Sequence, residues 1–278
     1  MIRLAIRLAA ADAEIVLAEL IELAPSGVEE NELPDGRIEY AVYGAAGELP
    51  ALPDLEAAAG GALVEIVTTE VADDWDQQWK AFHKPVAIEH RGRLLRVRPP
   101  WEEATTASGE VDLVIDPGQA FGTGAHATTR LCLEILLELE PDGGCVDLGC
   151  GSGVLAIAAA KLGWEPVLGL DHELESVAAT VDNARANSVT VAAERFDLRR
   201  GDAVPAATLV MANLLLPLLL DLSGSAFDPH PPQMMIASGL LIDQVDQVAE
   251  AFSRAHGLRE QDRRISGEWA ALLLASES

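Results

Sequence analysis

The chain has 278 residues, of which 49% are hydrophobic, so it can bury a sizeable core and wholesale disorder is excluded. It carries 45 acidic and 19 basic residues, a net charge of −26, which argues against a sequence-specific nucleic-acid binder because phosphate contacts need a basic surface. A basic partner, such as a lysine-rich protein, suits this charge better, although surface solubility or a salty environment would also explain it.

The three cysteines of the chain show no CxxC spacing, so they indicate neither a zinc site nor a disulfide framework. The apolar N-terminal run contains Arg7 and makes a poor signal peptide. The apolar run at 214–222 is too short to span a bilayer. We therefore expect no metal centre, no membrane association and a cytoplasmic location.

Residues 1–72 alternate between the periodicities of strands and helices. The predicted elements are a strand at 2–8, a helix at 11–24, a hairpin of strands at 28–33 and 37–43, a helix at 50–59 and a strand at 62–71. A Pro-Asp-Gly turn at 34–36 closes the hairpin. The order βαββαβ predicts a small ferredoxin-like α+β domain.

Residues 73–105 interrupt this alternation. Three aspartates and two tryptophans open the stretch, six basic residues follow, and Pro99-Pro100-Trp101 comes near its end. We predict a connecting segment that enters the second domain through a strand at 94–97.

Residues 106–278 alternate short apolar strands with helices, which is typical of βαβ units and a mostly parallel, doubly wound α/β sheet. Predicted strands lie at 145–148, 166–171, 208–213 and 233–238, and predicted helices at 131–139, 154–162 and 173–187. Two further strands, at 258–265 and 269–275, are separated by Ser266-Gly267 and predict a terminal antiparallel hairpin.

A glycine-rich loop, Gly149-Cys150-Gly151-Ser152-Gly153, follows a strand and opens a helix, so its backbone can turn tightly and approach a ligand. Its GxGxG spacing does not fit the GxGxxG dinucleotide fingerprint, and no lysine follows as in a P-loop. Asp147 precedes the loop, and Asp171 ends the next strand, where a carboxylate meets ribose hydroxyls in such units. This combination resembles the class I methyltransferases that use S-adenosylmethionine, which we therefore expect as the cofactor.

A second segment, residues 116–130, reads DPGQAFGTGAHATTR and precedes the helix at 131–139. It resembles the signature of the PrmA family, the bacterial methyltransferases of ribosomal large-subunit protein eleven. Further stretches that resemble this family are Lys84-Pro85-Val86, Ala212-Asn213-Leu214, Ser238-Gly239-Leu240-Leu241 and Glu268-Trp269. The resemblance implies a seven-stranded methyltransferase domain at 106–278, a connecting segment at 73–105 and a substrate-recognition domain at 1–72.

The resemblance also implies the residues of the cofactor site. Those expected to contact S-adenosylmethionine or shape its site are Thr129, Asp147, Gly149, Gly151, Asp171, Asp202 and Asn213. Of these, Asp147 and Gly151 would shape the loop, and Asp202 would meet the adenine. Ala125 and Ala127 stand where family members often carry Thr and Pro, which leaves the shape of the acceptor pocket open.

Methyl transfer to a lysine needs a neutral amine, and holding the amine neutral at pH 7 costs about 4.6 kcal/mol. A nearby sulfonium and a dry pocket lower the amine pKa, so no dedicated base is required. Asn213 is the candidate catalytic residue, because its side-chain oxygen could accept a hydrogen bond from the amine; alternatively, it only organises the cofactor. The motif Asn213-Leu214-Leu215-Leu216 lacks an aromatic ring that could stack on a nucleobase, so a flexible aliphatic amine fits better.

The leading hypothesis is a cytoplasmic, monomeric enzyme that methylates lysine side-chain and/or N-terminal amines of ribosomal large-subunit protein eleven, free or on the ribosome. One alternative is a methyltransferase of the same build that acts on a lysine of another protein or on a small amine. The alternative from another class is a non-catalytic, cofactor-binding adaptor.

Overall fold

The computed structural model of the protein describes residues 2–9, 16, 28–33, 36–44, 63–70, 83–104, 109–117 and 124–276. The chain divides into two compact units, Met1–Phe82 and His83–Ser278. No helix in these described ranges is long and apolar enough to cross a membrane.

The smaller unit contains a four-stranded antiparallel sheet. Its strands are β1 (Ile2–Ala9), β2 (Glu29–Glu32), β3 (Arg37–Gly44) and β4 (Leu63–Glu70), in the order β2-β3-β1-β4. This order, with β1 paired to both β3 and β4, is that of the predicted split βαβ arrangement. The helices predicted at 11–24 and 50–59 lie outside the described residues, except for Val16, which is helical and buried.

Side chains of β1 alternate between two environments, as the two-residue period of a strand requires. Those on one face are buried: Leu4, Ile6 and Leu8. On the other face, Arg3 and Arg7 both donate to the carboxylate of Glu39 on β3. Burial alone would raise the pKa of Glu39, but these two hydrogen bonds outweigh it and lower the pKa.

The larger unit begins with a three-stranded sheet of β5 (Val86–His90), β6 (Arg93–Arg98) and β7 (Glu110–Val114). Strand β6 is antiparallel to β5 and parallel to β7, and it confirms the strand predicted at 94–97. The described part of the predicted connecting segment therefore belongs to this unit. The separate roles assigned to residues 1–72, 73–105 and 106–278 stay a prediction.

The main sheet of this unit has seven strands in the order β10-β9-β8-β12-β14-β16-β15. The strands that follow β7 along the chain are β8 (Cys145–Leu148), β9 (Val167–Asp171), β10 (Ala192–Arg195), β11 (Val204–Pro205), β12 (Leu209–Asn213), β13 (Phe227–Asp228), β14 (Met234–Leu241), β15 (Leu258–Ser266) and β16 (Trp269–Ser276). The first five strands of the sheet are parallel, and β16 runs antiparallel to both of its neighbours. The doubly wound sheet and its terminal hairpin are thus confirmed.

Helices cover both faces of this sheet. They are α1 (Ala127–Glu138), α2 (Val154–Leu162), α3 (Leu174–Ala186), α4 (Leu216–Gly224) and α5 (Val245–His256). Strand β12 shows the two faces: Leu209 and Met211 join the core with α1 and α2, whereas Val210 and Ala212 join the core with α4 and α5. Because both faces are buried, the strand reads as a continuous apolar run.

The neighbouring strands β8 and β12 mark the point at which the order of the strands changes side in the sheet. Strands β9 and β10 continue the sheet on one side of β8, and β14, β16 and β15 continue it on the other side of β12. In open α/β sheets a ligand binds in the crevice at the carboxyl ends of the strands at such a switch point. This crevice holds the glycine loop and Asn213.

Candidate cofactor and acceptor site

The glycine loop leaves the carboxyl end of β8 as a left-handed turn. Gly149, Gly151 and Gly153 have φ values of +73°, +53° and +82°, a region that other residues rarely adopt. The amides of Gly149 and Cys150 both donate to the carbonyl of Leu170 on β9, at 2.7 and 3.1 Å. The loop is therefore anchored to the neighbouring strand through its backbone.

Asp171 lies at the end of β9, beside this loop, and is 8% exposed. Its Oδ2 accepts from the amide of Gly151 and its Oδ1 from the amide of Glu173, both at 3.0 Å. Oδ1 also lies 3.3 Å from Nδ1 of the exposed His172, whereas Oδ2 keeps a further lone pair that can accept from a hydroxyl group. The structure thus places Asp171 beside Gly151, and its role as the ribose acid stays a prediction.

Asp147, on β8, is 1% exposed. Its Oδ2 accepts from the amide of Ala156 in α2 at 3.1 Å, while its buried Oδ1 has no hydrogen-bond partner among the described residues. Burial raises the pKa of this carboxyl to about 7; the Ala156 amide opposes the rise and the charge of Asp171 adds to it. The loop therefore rests on an acid that titrates near neutral pH.

The three cysteines of the chain are free and buried. Burial raises the pKa of Cys132 and of Cys150 to about 12 and that of Cys145 well above its ordinary value, and the nearby Asp147 adds to each rise. Thiols in this state are protonated at neutral pH and serve as packing groups rather than nucleophiles.

Polar side chains of α3 support the loop from below. Thr180 donates to the carbonyl of Gly151 at 3.0 Å, and Asn183 donates to the carbonyl of Ser152 at 2.9 Å. Asn183 also accepts from the amide of Asp116 at 3.0 Å, which links the loop to the DPG segment. Sequence reasoning missed this helix face, although Thr180, Asn183 and Asn187 have the spacing of one helix face and could have indicated it.

A cleft of about 150 Å³ opens beside the loop. The residues that line it are Leu148, Gly149, Leu170, Asp171, His172, Phe196, Asp197, Leu198, Arg199, Leu214 and Leu218. Asp202, predicted to meet the adenine, is exposed and is not among these lining residues. Besides Asp171, the acid that lines the cleft is Asp197. Its carboxylate accepts from the amide of Arg199 at 3.1 Å, and this bond and the Arg199 side chain lower its pKa.

Asn213 ends β12 and faces the start of α1. Its side-chain nitrogen donates to Thr129 Oγ1 at 3.4 Å, so the two predicted cofactor contacts lie together. Ser238, the residue opposite Asn213 on β14, is fully buried and approaches the carbonyls of Thr128 and Ala270 at 3.3 and 3.1 Å. The first turn of α1 is therefore held against β14 and β16.

His126 precedes α1 and acts as its N-cap. Its Nδ1 contacts Thr128 Oγ1 at 2.8 Å and accepts from the Thr128 amide at 3.4 Å. Its ring meets Trp269 edge to face, with centroids 5.0 Å apart. His126 thus orients α1 at the edge of the site.

A larger hollow of about 560 Å³ lies between β5, α1 and β15, away from the glycine loop. Its acids and bases already pair with one another: Glu138 bonds Arg264 at 2.7 Å and Arg91 at 3.1 Å. Among the described residues, no group of three or more His, Cys, Asp or Glu side chains could hold a metal ion. The glycine-loop cleft is therefore the candidate site.

Comparison with known proteins agrees with this geometry. The model of the family described as "Ribosomal protein L11 methyltransferase (PrmA)" matches residues 51–277. Relatives named ribosomal protein L11 methyltransferase from Geobacter metallireducens and Alkaliphilus metalliredigens are 37% and 36% identical over 208 and 221 residues. These matches cover 74% and 76% of this chain and 68% and 67% of the relatives.

A solved structure of ribosomal protein L11 methylase from Lactobacillus delbrueckii subsp. bulgaricus superimposes with a TM-score of 0.60 at 27% identity. It covers 71% of this chain and 100% of that chain. The family match extends over far more than half of the sequence. The chain therefore belongs to the ribosomal protein L11 methyltransferase (PrmA) family.

Proposed function

We propose that the protein transfers methyl groups from S-adenosylmethionine to lysine side-chain and/or N-terminal amines of ribosomal protein L11. The observation that carries the proposal is that a candidate cofactor loop and a candidate acceptor-orienting pair lie at the same switch point of the sheet. Asp171 and the glycine loop lie at the ends of β8 and β9, and the Asn213–Thr129 pair lies at the end of β12. Family membership adds the substrate, since the relatives are named for it.

The residues at the loop fit such a cofactor. The carboxylate of Asp171 would accept from ribose hydroxyls, and the apolar wall of Leu170, Phe196 and Leu198 would cover a nucleobase. A cationic ligand would favour the ionised form of Asp147, whose Oδ1 is buried and unpartnered among the described residues. When bound, S-adenosylmethionine supplies an electrophilic methyl group on a sulfonium.

For the adenine contact we now propose Asp197 in place of Asp202. Asp197 lies on the cleft wall, whereas Asp202 is exposed and does not line the cleft. Asp197 and Asp202 both lie after β10, so the sequence alone did not separate them.

Asn213 would orient the acceptor amine. Its amide nitrogen is engaged by Thr129, so the amide oxygen is the group left to accept from an amine N–H and to aim the amine lone pair. Alignment of the acceptor in this way supplies much of the acceleration of an in-line displacement. The amine must be neutral, and a dry, cation-containing site lowers its pKa without a dedicated base.

The acidity of the chain supports a basic protein substrate. A net charge of −26 attracts a cationic partner over long distances and speeds its encounter. Recognition by residues 1–72, a cytoplasmic location and a monomeric state remain part of the proposal.

The deciding experiment is mass spectrometry of ribosomal protein L11, isolated and on the ribosome, after incubation with the enzyme and S-adenosylmethionine. We expect methyl groups on lysine or N-terminal amines, and methylation about thirtyfold slower with Asn213→Ala at equal enzyme concentration. Methylation of another protein's lysine or of a small amine, with L11 unmodified, would favour the alternative substrates. Absence of S-adenosylhomocysteine with every acceptor would favour the adaptor.

A further inference from the structure

Two large aliphatic side chains are exposed near the carboxyl ends of β12 and β14, where Asn213 also lies. Leu215 is 66% exposed and Ile242 is 44% exposed. Leu215 follows Asn213 by two residues and caps α4, and Ile242 directly follows β14, whose Ser238 pairs with Asn213. One exposed leucine would need no explanation, but two aliphatic side chains beside a reactive centre suggest an apolar contact with a ligand.

The backbone joins the two segments that carry these residues. The amide of Leu214 donates to the carbonyl of Ser238 at 3.0 Å, and a Cβ on Gly239 would lie 2.3 Å from the Leu214 carbonyl oxygen. The chain that follows β12 therefore crosses directly over β14 at Gly239. Leu215 is the next residue after this crossing, at the start of α4, and Ile242 follows Gly239 by three residues, directly after the end of β14.

Exposed carboxylates flank Ile242. Asp243 is its neighbour in sequence, and the Ile242 amide donates to the carbonyl of Glu268 at 3.1 Å, which holds the Glu268 turn beside it. Both side chains are exposed, and the ion pairs formed among the described residues include neither of them. An aliphatic surface with free carboxylates at its border matches a lysine-rich segment in both shape and charge.

We propose that Leu215 and Ile242 form an acceptor rim that holds the methylene stem of the target lysine. Asp243 and Glu268 draw in cationic side chains that neighbour this lysine in a basic protein segment. The inference rests on the proposed function and adds the residues that select its substrate. A lysine packs a four-carbon stem against the rim, whereas an N-terminal α-amine has no such stem, so the rim favours the lysine.

The test compares Leu215→Ser and Ile242→Ser with the matched control Ile265→Ser. Ile265 is 53% exposed, on strand β15 at the edge of the sheet. Steady-state kinetics are measured with ribosomal protein L11 and with poly-L-lysine, and cofactor affinity is measured by calorimetry. We expect each rim variant to raise KM about tenfold for both acceptors, because it removes one apolar contact to the stem. Cofactor affinity and the kinetics of Ile265→Ser should stay at wild-type values.

The outcomes separate this inference from the proposed function. If L11 is methylated and the rim variants behave like Ile265→Ser, or if they lose cofactor affinity instead, the rim is refuted and the proposed function stands. If the wild type methylates poly-L-lysine but not L11, the proposed substrate is refuted. The rim is then supported if the rim variants raise the KM for poly-L-lysine, and refuted if they leave it at the wild-type value. If neither acceptor is methylated, both proposals fall.

The carboxylates have a test of their own. The double variant Asp243→Asn with Glu268→Gln should raise KM about threefold at low salt, and this difference should vanish at high salt because exposed charges are screened. If the KM of the double variant equals that of the wild type at low salt, the two carboxylates have no part in attracting the substrate.

Discussion

The two halves of the site lie on one edge of one sheet but are held in different ways. On the cofactor side, at β8 and β9, the loop is fixed by backbone amides and the carboxylate of Asp171 over distances of 2.7–3.1 Å. On the acceptor side, at β12 and β14, side-chain bonds of 3.3 and 3.4 Å join Ser238 and Asn213 to α1, and Leu215 is exposed. The cofactor half, formed by residues 147–153 and Asp171, is largely buried, and we call it the cradle. The acceptor half includes exposed side chains such as Leu215.

This difference indicates a division of labour. A backbone cradle recognises one ligand and tolerates few substitutions, because its glycines need positive φ. An aliphatic border can change residue by residue while the cradle stays intact. Substitutions on the two sides should therefore affect different measurements: cofactor binding and stability on one side, turnover and acceptor KM on the other.

The largest expected effect concerns the buried acid of the cradle. The pKa of Asp147 rises from 3.8 to about 7 on folding, chiefly through burial, so the folded protein binds the proton more tightly. The resulting stability is fully present below about pH 4 and is lost as the pH rises to about 7, by up to about 4 kcal/mol. Asp147→Asn should flatten this pH dependence in urea unfolding of the cofactor-free protein at pH 5 and pH 8. Parallel pH profiles for the two proteins would contradict it.

The next effect concerns cofactor affinity. Asp171→Ala removes the proposed acceptor for ribose hydroxyls and the acceptor for the amides of Gly151 and Glu173, so calorimetry should show affinity for S-adenosylmethionine reduced about hundredfold. Asp202→Ala is a matched control and should change affinity less than about twofold. Asp197→Ala should lie between them if Asp197 meets the adenine. If Asp171→Ala binds S-adenosylmethionine with unchanged affinity, Asp171 does not contact the ribose.

Substitutions on the acceptor side should lower the turnover number, kcat. Asn213→Ala should reduce kcat about thirtyfold while the melting temperature falls little, because the orienting amide oxygen is lost from a half-exposed position. Thr129→Val keeps the shape but frees the Asn213 amide to rotate, and should reduce kcat about fivefold. A wild-type kcat for Asn213→Ala would show that the residue has no part in the reaction.

The smallest effect compares two glycines that both face Leu214. A Cβ at Gly149 would lie 2.6 Å from the tip of the Leu214 side chain, which can move, whereas one at Gly239 would lie 2.3 Å from the Leu214 carbonyl oxygen, which cannot. Both have positive φ, so alanine is strained at either site. Gly239→Ala should be less stable than Gly149→Ala by about 1–2 kcal/mol in denaturant unfolding. Equal stabilities would show that the crossing over β14 relaxes freely.

Much of the cradle could be predicted from the sequence because its signals are local. The strand at 145–148 and the helix at 154–162 have the predicted bounds, since a short apolar run ends there at glycines with left-handed backbone. Asp171 follows from the same pattern, because parallel strands of a βαβ unit end at one edge of the sheet.

Other features were decided only in three dimensions. The sequence offers two acids after β10, and only the path of the chain through the turn at Leu198–Arg200 brings Asp197, rather than Asp202, to the cleft. The loop-supporting face of α3, with Asn183 bonded to residues 31 and 67 positions away, is likewise absent from any local pattern.

The sequence by itself thus determined the fold class, the glycine loop and the position of Asp171 at the end of β9, because backbone dihedrals and hydrophobic periodicity are encoded within a few neighbouring residues. The tertiary structure decided the orientation of the Asn213 amide, the burial of an Asp147 oxygen that has no partner among the described residues, and the exposure of Leu215. Each of these depends on strand order and on packing between segments far apart in the chain, where burial and geometry, rather than residue type, set the chemistry.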